Sequence, residues 1–216
     1  MIGKIVPGDY ERFVGAIRTR GAAPFLLYVR SQGGNVPEAI KIGRQLRELT
    51  VSVLAPLGTI HSGGAASCVM DEHELGRKVP CVCASACTLV WFGSPFRTGA
   101  EIFIHSIAYE NKKEFGALPP SEAARVYNQN MGEIRAYLAD MGIDGKYAQM
   151  MTETGSIELK KVQPQDDWGL FGFDGGYREW LFAKCGPPSN ALWGSCSVRV
   201  QGEATVEAIR RLLGVQ

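Results

Sequence analysis

The first fifty residues alternate between helically spaced apolar side chains and short apolar runs. Helical spacing over residues 10–20 predicts an amphipathic helix, and the apolar run at 25–29 is typical of a buried strand. A glycine-rich turn follows at 31–35, and helical spacing resumes over 36–49. This part of the chain therefore predicts a helix, a strand, a glycine turn and a second helix.

The alternation continues to about residue 171. Residues 56–80 interrupt it with a polar stretch of weak periodicity, which we interpret as an insertion. Because strands alternate with helices, we expect one α/β domain with a largely parallel sheet over 1–174, and a terminal extension over 175–216 that packs on it. The pattern predicts strands at 51–55, 79–83, 101–105 and 157–162, helices at 86–92, 120–141 and 144–152, a helical turn at 164–168 and an extended segment from 169.

Composition and charge argue against several classes of function. The 216 residues are 45% hydrophobic and 21% charged, as in an ordinary globular protein. Because 23 Lys and Arg nearly balance 22 Asp and Glu, no positive field favours nucleic acid as a partner. No apolar stretch is long enough to span a membrane. The spacing of nucleotide-binding loops is missing, and we expect no cofactor.

The number of cysteines bears on the cellular compartment of the protein. Six cysteines are many for a reducing compartment, and an even number allows up to three disulfides. Residues 1–7 are too short for a secretory signal. We therefore expect a periplasmic or secreted protein if a signal peptide has been removed, and a cytoplasmic one if Met1 is the true start. Cys185 and Cys196 are expected to pair across a Gly-Pro-Pro turn.

Metal binding is a competing use for the other cysteines. Cys81, Cys83 and Cys87 could bind zinc or act as redox thiols, but a fourth zinc ligand would have to come from a distant part of the chain. A disulfide at this turn agrees better with an oxidising compartment. His61 and His73 show no ligand spacing and are interpreted as loop residues. We expect no metal site.

Two turns carry residue types suited to nucleophilic chemistry. Ser85 lies among small residues before a predicted buried helix, and Gly33 and Gly34 follow the first buried strand. A serine nucleophile needs a base for its proton and donors for the oxyanion that its attack creates. Amides at glycine turns and helix starts, such as that of Ala86, are suitable donors. Without these partners, Ser85 would be interpreted as an ordinary helix-capping serine.

Three motifs in a fixed order resemble the Clp protease and crotonase superfamily. They are Tyr-Val-Arg-Ser-Gln-Gly-Gly-Asn at 28–35, Cys-Ala-Ser-Ala-Cys at 83–87 and Ile-His-Ser at 104–106. Together they are most similar to the periplasmic Clp-like proteins of bacteria. The resemblance implies a spiral of β-β-α units, a peptide or protein substrate and a homo-oligomer. Because the chain carries no ATPase signature, we expect it to act without an ATP-dependent partner.

The resemblance also implies roles for individual residues. It makes Ser85 the nucleophile, His105 the base and the amides of Gly33 and Ala86 the oxyanion hole, with Gly34 at the substrate. Taken alone, His105 would be interpreted as a buried histidine at a strand end, but the ordered motifs favour the catalytic role. The leading hypothesis is a serine hydrolase that cleaves peptides. The alternatives are a catalytically silent peptide-binding protein and a crotonase-type acyl-coenzyme A enzyme.

Two departures from the family pattern concern the site. Gln32 stands where the family usually has proline, which loosens the turn without removing its glycines. Clp peptidases place an aspartate after the long helix, whereas residues 151–162 contain none. Glu158 is the nearest carboxylate to the expected position and Glu153 the next, so either could orient the histidine. A Ser-His pair without a carboxylate is the remaining arrangement.

Overall fold

The structure of the protein is a computed structural model. Most of the predicted insertion, the predicted helical turn at 164–168, and His61 and His73 lie outside the residues that it describes. The described residues are 1–57, 81–109, 112–163, 169–189 and 192–215.

Helices and strands alternate along the described chain, as the apolar pattern predicts. The helices are α1 (Asp9–Arg20), α2 (Val36–Glu48), α3 (Ala86–Gly93), α4 (Lys112–Ala117), α5 (Pro120–Asp140), α6 (Lys146–Glu153), α7 (Gly175–Cys185) and α8 (Trp193–Leu213). The strands are β1 (Leu26–Tyr28), β2 (Ser52–Leu54), β3 (Cys83–Ala84), β4 (Phe96–Thr98), β5 (Ile102–Ile104), β6 (Lys160–Lys161) and β7 (Gly172–Phe173).

The strands form two sheets that meet beside the predicted motifs. In one sheet β1, β2 and β4 run parallel and β7 pairs antiparallel with β4. In the other, β3 and β5 are parallel and β6 is antiparallel to β5. Ser31, beyond the end of β1, connects the sheets because its amide donates to the Val82 carbonyl at 2.8 Å and its carbonyl accepts from the Ala84 amide at 2.9 Å. The prediction of an α/β fold with largely parallel pairing is confirmed.

Helices α2 and α3 are so close that their backbones are in contact. A Cβ on Gly93 would lie 2.4 Å from the Cα of Gly43, and a Cβ on Gly43 would lie 1.9 Å from the Tyr137 hydroxyl. Burial raises the pKa of Tyr137, so its hydroxyl stays neutral and donates to the Leu89 carbonyl at 2.8 Å. These two glycines therefore allow α3, which begins next to Ser85, to lie deep in the core.

Several boundaries differ from the sequence prediction. Strand β4 and helix α4 have no counterpart in the predicted pattern, because three and six residues are too short for a resolvable period. The strand predicted at 157–162 is reduced to the two residues of β6, and Ile157 and Leu159 are exposed. The helices that the sequence predicts before residue 155 are all confirmed, and their ends lie within two residues of those expected.

The C-terminal part of the described chain consists mainly of α7 and α8. The Cys185–Cys196 disulfide joins them, as predicted. The Thr205 hydroxyl of α8 donates to the carbonyl of Leu49, which follows α2, at 3.0 Å, and Ala208 is buried in the main core. Among the described residues, no helix is both long enough and apolar enough to cross a bilayer.

Candidate active site

Ser85 joins β3 to α3 in a backbone conformation that few side chains adopt. Its φ is 58° and its ψ is −125°, and its amide donates to the Phe103 carbonyl of β5 at 3.0 Å. Residues held in such conformations are concentrated at functional sites, where the surrounding structure offsets the strain. Ser85 is half-buried, and the Ala86 amide after it lies in the first helical turn, where amides have no partner within the helix.

A disulfide encloses the serine turn. Cys83 of β3 and Cys87 of α3 are bonded to each other, with Cα atoms 5.2 Å apart, and both are fully buried. The bond ties the strand to the helix on either side of Ser85. The expected disulfide at this turn is confirmed, so neither sulfur is available as a zinc ligand. The described part of the chain contains no group of three side chains that could hold a metal ion.

The glycine turn lies directly against Ser85. A Cβ on Gly33 would lie 2.6 Å from the Cβ of Ser85, and one on Gly34 would lie 2.1 Å from the Ile5 carbonyl oxygen. Both glycines have positive φ, so only glycine fits there. The Gly33 amide donates to the Ser31 hydroxyl at 3.0 Å. The Gly34 amide donates to no acceptor within the described residues.

The imidazole of His105 is oriented by the main chain. Its Nδ1 lies 2.5 Å from the Ser106 carbonyl oxygen, and because a carbonyl only accepts, we assign the proton to Nδ1 and the acceptor role to Nε2. Ser106 is held by its amide, which donates to the Thr154 carbonyl at 3.2 Å, and by its hydroxyl, 3.1 Å from that of Tyr127. This tautomer is the one that a general base requires.

Ser85 and His105 line the same cleft. The cleft has a volume of about 370 Å³ and is also lined by Gly33, Gly34 and Lys4. Within the described residues, no hydrogen bond joins the serine hydroxyl to the imidazole, and such bonds often form only in the substrate complex. A second, smaller cavity shares both side chains and has an apolar wall formed by Val36, Leu89, Met131, Ile134 and Met151.

Glu158 forms no hydrogen bond or ion pair with His105 within the described residues. Glu158 is exposed and lines neither of the cavities that the imidazole lines. Glu153, the next candidate, is also exposed and accepts from the Gln149 side-chain amide at 2.7 Å. The Ser106 carbonyl lies where a third triad member would bond to Nδ1. Within the described residues, no carboxylate is hydrogen-bonded to His105.

Glu158→Gln is expected to leave fluorophosphonate labelling of Ser85 within about twofold of the wild-type rate, as is usual for an exposed side chain without site contacts. Removing the charge of a triad carboxylate would reduce the rate on the order of 10⁴-fold. A time course of intact-protein mass measures the rate. A large decrease would show that Glu158 orients His105 after all.

The fold of the chain is similar to that of solved structures. A mutant of ClpP1 from Listeria monocytogenes matches with a TM-score of 0.50 at 16% identity, covering 79% of this chain and 86% of that one. The chain has a Clp protease-like fold. A mutant of the 1510-N membrane-bound stomatin-specific protease also matches, with a TM-score of 0.43 at 15% identity, over 87% of this chain and 83% of that one. No protein-family model and no curated protein matches the sequence.

Three polar residues of the candidate site were not identified from the sequence. Ser31 binds the Gly33 amide, Ser106 supplies the carbonyl for His105, and Tyr127 meets the Ser106 hydroxyl. Ser31 and Ser106 each lie within two residues of a predicted site residue, and that proximity was the available signal. No such signal exists in the sequence for Tyr127, because its position beside Ser106 depends on how α5 packs.

Proposed function

We propose that the protein is a serine hydrolase that cleaves peptide bonds through an acyl-enzyme at Ser85, with His105 as general base. The observation that carries the proposal is a single cleft that contains the strained serine turn, the glycine turn and an imidazole whose Nδ1 meets a main-chain carbonyl. The Clp protease-like fold adds support for a peptide substrate. Because fold alone does not fix chemistry, the argument depends on these side chains.

In the proposed first step, Ser85 Oγ attacks the scissile carbonyl carbon while its proton passes to His105 Nε2. Amides of Ala86 and of the glycine turn stabilise the negative charge on the carbonyl oxygen. The imidazolium then protonates the leaving amine as the C–N bond breaks. Water attacks the acyl-enzyme in the second step, giving one proton to His105, which returns it to Ser85 as the acid product leaves.

Ser31 limits the part that Gly33 can take in the proposed oxyanion hole. Its hydroxyl accepts from the Gly33 amide, so Gly33 would donate to an oxyanion only after the hydroxyl turns away. The Gly34 amide and the Ala86 amide require no such change. We therefore assign the first oxyanion contact to Ala86 and either glycine of the turn.

A peptide-binding protein without hydrolytic activity is the second candidate. The engaged Gly33 amide and the absence of a hydrogen bond between Ser85 and His105 in the described chain favour it. A crotonase-type acyl-coenzyme A enzyme is less well supported, since paired amides suffice for that chemistry and a serine and histidine in one cleft are not needed. Strong retention on immobilised coenzyme A would favour that third candidate.

The proposal also covers the cellular compartment, the substrate and the oligomeric state of the protein. Two disulfides, Cys83–Cys87 and Cys185–Cys196, are compatible with an oxidising compartment, and we assign the protein to the periplasm or to secretion. The substrate would be a peptide or protein, the active form a homo-oligomer, and the activity independent of ATP.

Covalent labelling tests the proposed function. Wild-type protein is incubated with a fluorophosphonate and its intact mass is measured. One adduct per chain is expected in the wild type, with the modified peptide containing Ser85, and none in Ser85→Ala. A folded wild-type protein that remains unlabelled would refute the hydrolase and leave the peptide-binding candidate. Labelling of Ser85→Ala would show that another residue is the nucleophile.

A further inference from the structure

A third cavity, of about 420 Å³, lies near the candidate active site and has a mainly apolar lining. Its volume falls in the range of protein sites that enclose small organic groups. Among the described residues that line the cavity, the charged one is Lys112, and its side chain is exposed. The lining residues are Ile107, Ala108, Tyr109, Lys112, Phe115, Gly116, Tyr127, Ser156 and Ile157.

One wall of this cavity is a fixed pair of aromatic rings. The rings of Tyr109 and Phe115 are stacked, with centroids 3.7 Å apart and planes 9° from parallel. The Tyr109 hydroxyl accepts from the Asn130 side-chain amide of α5 at 3.3 Å. A wall that is already packed loses little side-chain entropy when it binds a ligand. Stacked and edge-on contacts to such rings favour aromatic and large aliphatic groups.

The cavity is adjacent to the cleft of Ser85 and His105. Ala108 and Ser156 line both, and Ile107 lines both this cavity and the smaller apolar one beside the serine. The segment from His105 to Tyr109 therefore runs from the candidate base to the aromatic wall. A peptide held at Ser85 in an extended conformation, at about 3.3 Å per residue, would pass over these shared residues.

We propose that the cavity of Tyr109 and Phe115 is a second specificity subsite, which binds an aromatic or large aliphatic side chain of the substrate at a position away from the scissile bond. The inference rests on the proposed function, in that the ligand is the peptide cleaved at Ser85. The substrate class is accordingly an extended polypeptide with an apolar residue at one fixed distance from the cleaved bond.

Peptide binding to the Ser85→Ala protein tests the subsite without requiring catalysis. The probe is a positional-scanning library of fluorescein-labelled peptides in which each position in turn carries Phe, Leu, Asp or Ala, measured by fluorescence anisotropy. One position is expected to bind about tenfold more tightly with Phe or Leu than with Ala. Phe115→Ala in the same background should reduce that preference to about twofold or less, and the preferences at other positions should remain.

A second variant keeps the test decisive if Phe115→Ala does not fold. Ile157 is 90% exposed at the cavity rim, so Ile157→Asp should fold normally and weaken binding of the apolar residue at the same position. Val198→Asp is the matched control, because Val198 is also exposed and lies on α8, away from both cavities. It should leave the binding profile unchanged.

The outcomes separate this inference from the proposed function. Absence of peptide binding, a flat profile, or a preference that survives both variants would overturn the subsite, whatever the labelling result. Labelling of wild-type Ser85 together with a flat profile would leave the hydrolase intact and remove only the subsite. If Ile157→Asp instead changes the sedimentation coefficient and the profile is flat, the cavity faces a second copy of the chain and the inference is wrong.

Discussion

Replacing His105 with alanine should slow fluorophosphonate labelling of Ser85 by about 10²- to 10⁴-fold, the usual contribution of a positioned general base. The serine would lose the acceptor for its proton, while the amides of the site would remain. Intact-mass time courses of the two proteins measure the effect.

Glu158→Gln is the matched control for His105→Ala, since it changes an ionisable residue that does not contact the imidazole. Far-UV circular dichroism and the melting temperature should match the wild type for both variants. His105→Ala that labels at the wild-type rate would contradict the assignment of His105 as base. A hydrolase would then need another proton acceptor in the cleft, and the Lys4 side chain, which also lines it, would be tested next.

Gly93→Ala is expected to be strongly destabilising. The added Cβ would lie 2.4 Å from both the Cα and the carbonyl oxygen of Gly43, and because these are backbone atoms, no side-chain rotation can relieve the clash. We expect a loss of about 3 kcal/mol or more in the free energy of unfolding and a melting temperature about 6–12 °C lower. Thermal and urea denaturation measure the change.

Gly132→Ala provides the control for this substitution. Gly132 is also helical, but it is exposed on α5 and a Cβ there would meet no atom within 4 Å. Alanine should stabilise that helix by about 0.5–1 kcal/mol. Equal stability of Gly93→Ala and the wild type would mean that α2 and α3 can separate at low cost. The close approach of the two helices would then have no role in positioning Ser85.

Helix α3 contributes both to the stability of the core and to the position of Ser85. The contact between Gly43 and Gly93 fixes one end of this helix in the core, and the Cys83–Cys87 disulfide fixes the other end to β3. Ser85 lies at the disulfide end, in its strained conformation. A nucleophile contributes most when its position does not have to be established during the reaction. The buried helix therefore supplies the rigidity that the proposed mechanism requires.

The candidate nucleophile and base could be predicted because each depends on a short motif. A serine between small residues before an apolar helix, and glycines after a buried strand, impose their conformations locally. The neighbours of His105 could not be predicted in the same way. Glu158 was chosen by its distance along the chain, but its side chain is exposed and makes no hydrogen bond to the imidazole within the described residues. The Ser106 carbonyl bonds to His105 Nδ1, but because every residue has a carbonyl, only its position next to His105 in the sequence could have indicated this role.

The sequence by itself determined the alternation of strands and helices, the order of the three motifs and the Cys185–Cys196 pair, because apolar periodicity and glycine, serine and cysteine chemistry act over a few residues. The tertiary structure alone decided the division into two sheets, the contact of Tyr127 with Ser106, and the packing of α8 against Leu49. Those contacts join residues far apart in the chain. Their energy comes from burial and hydrogen bonding in the assembled fold, which no local pattern records.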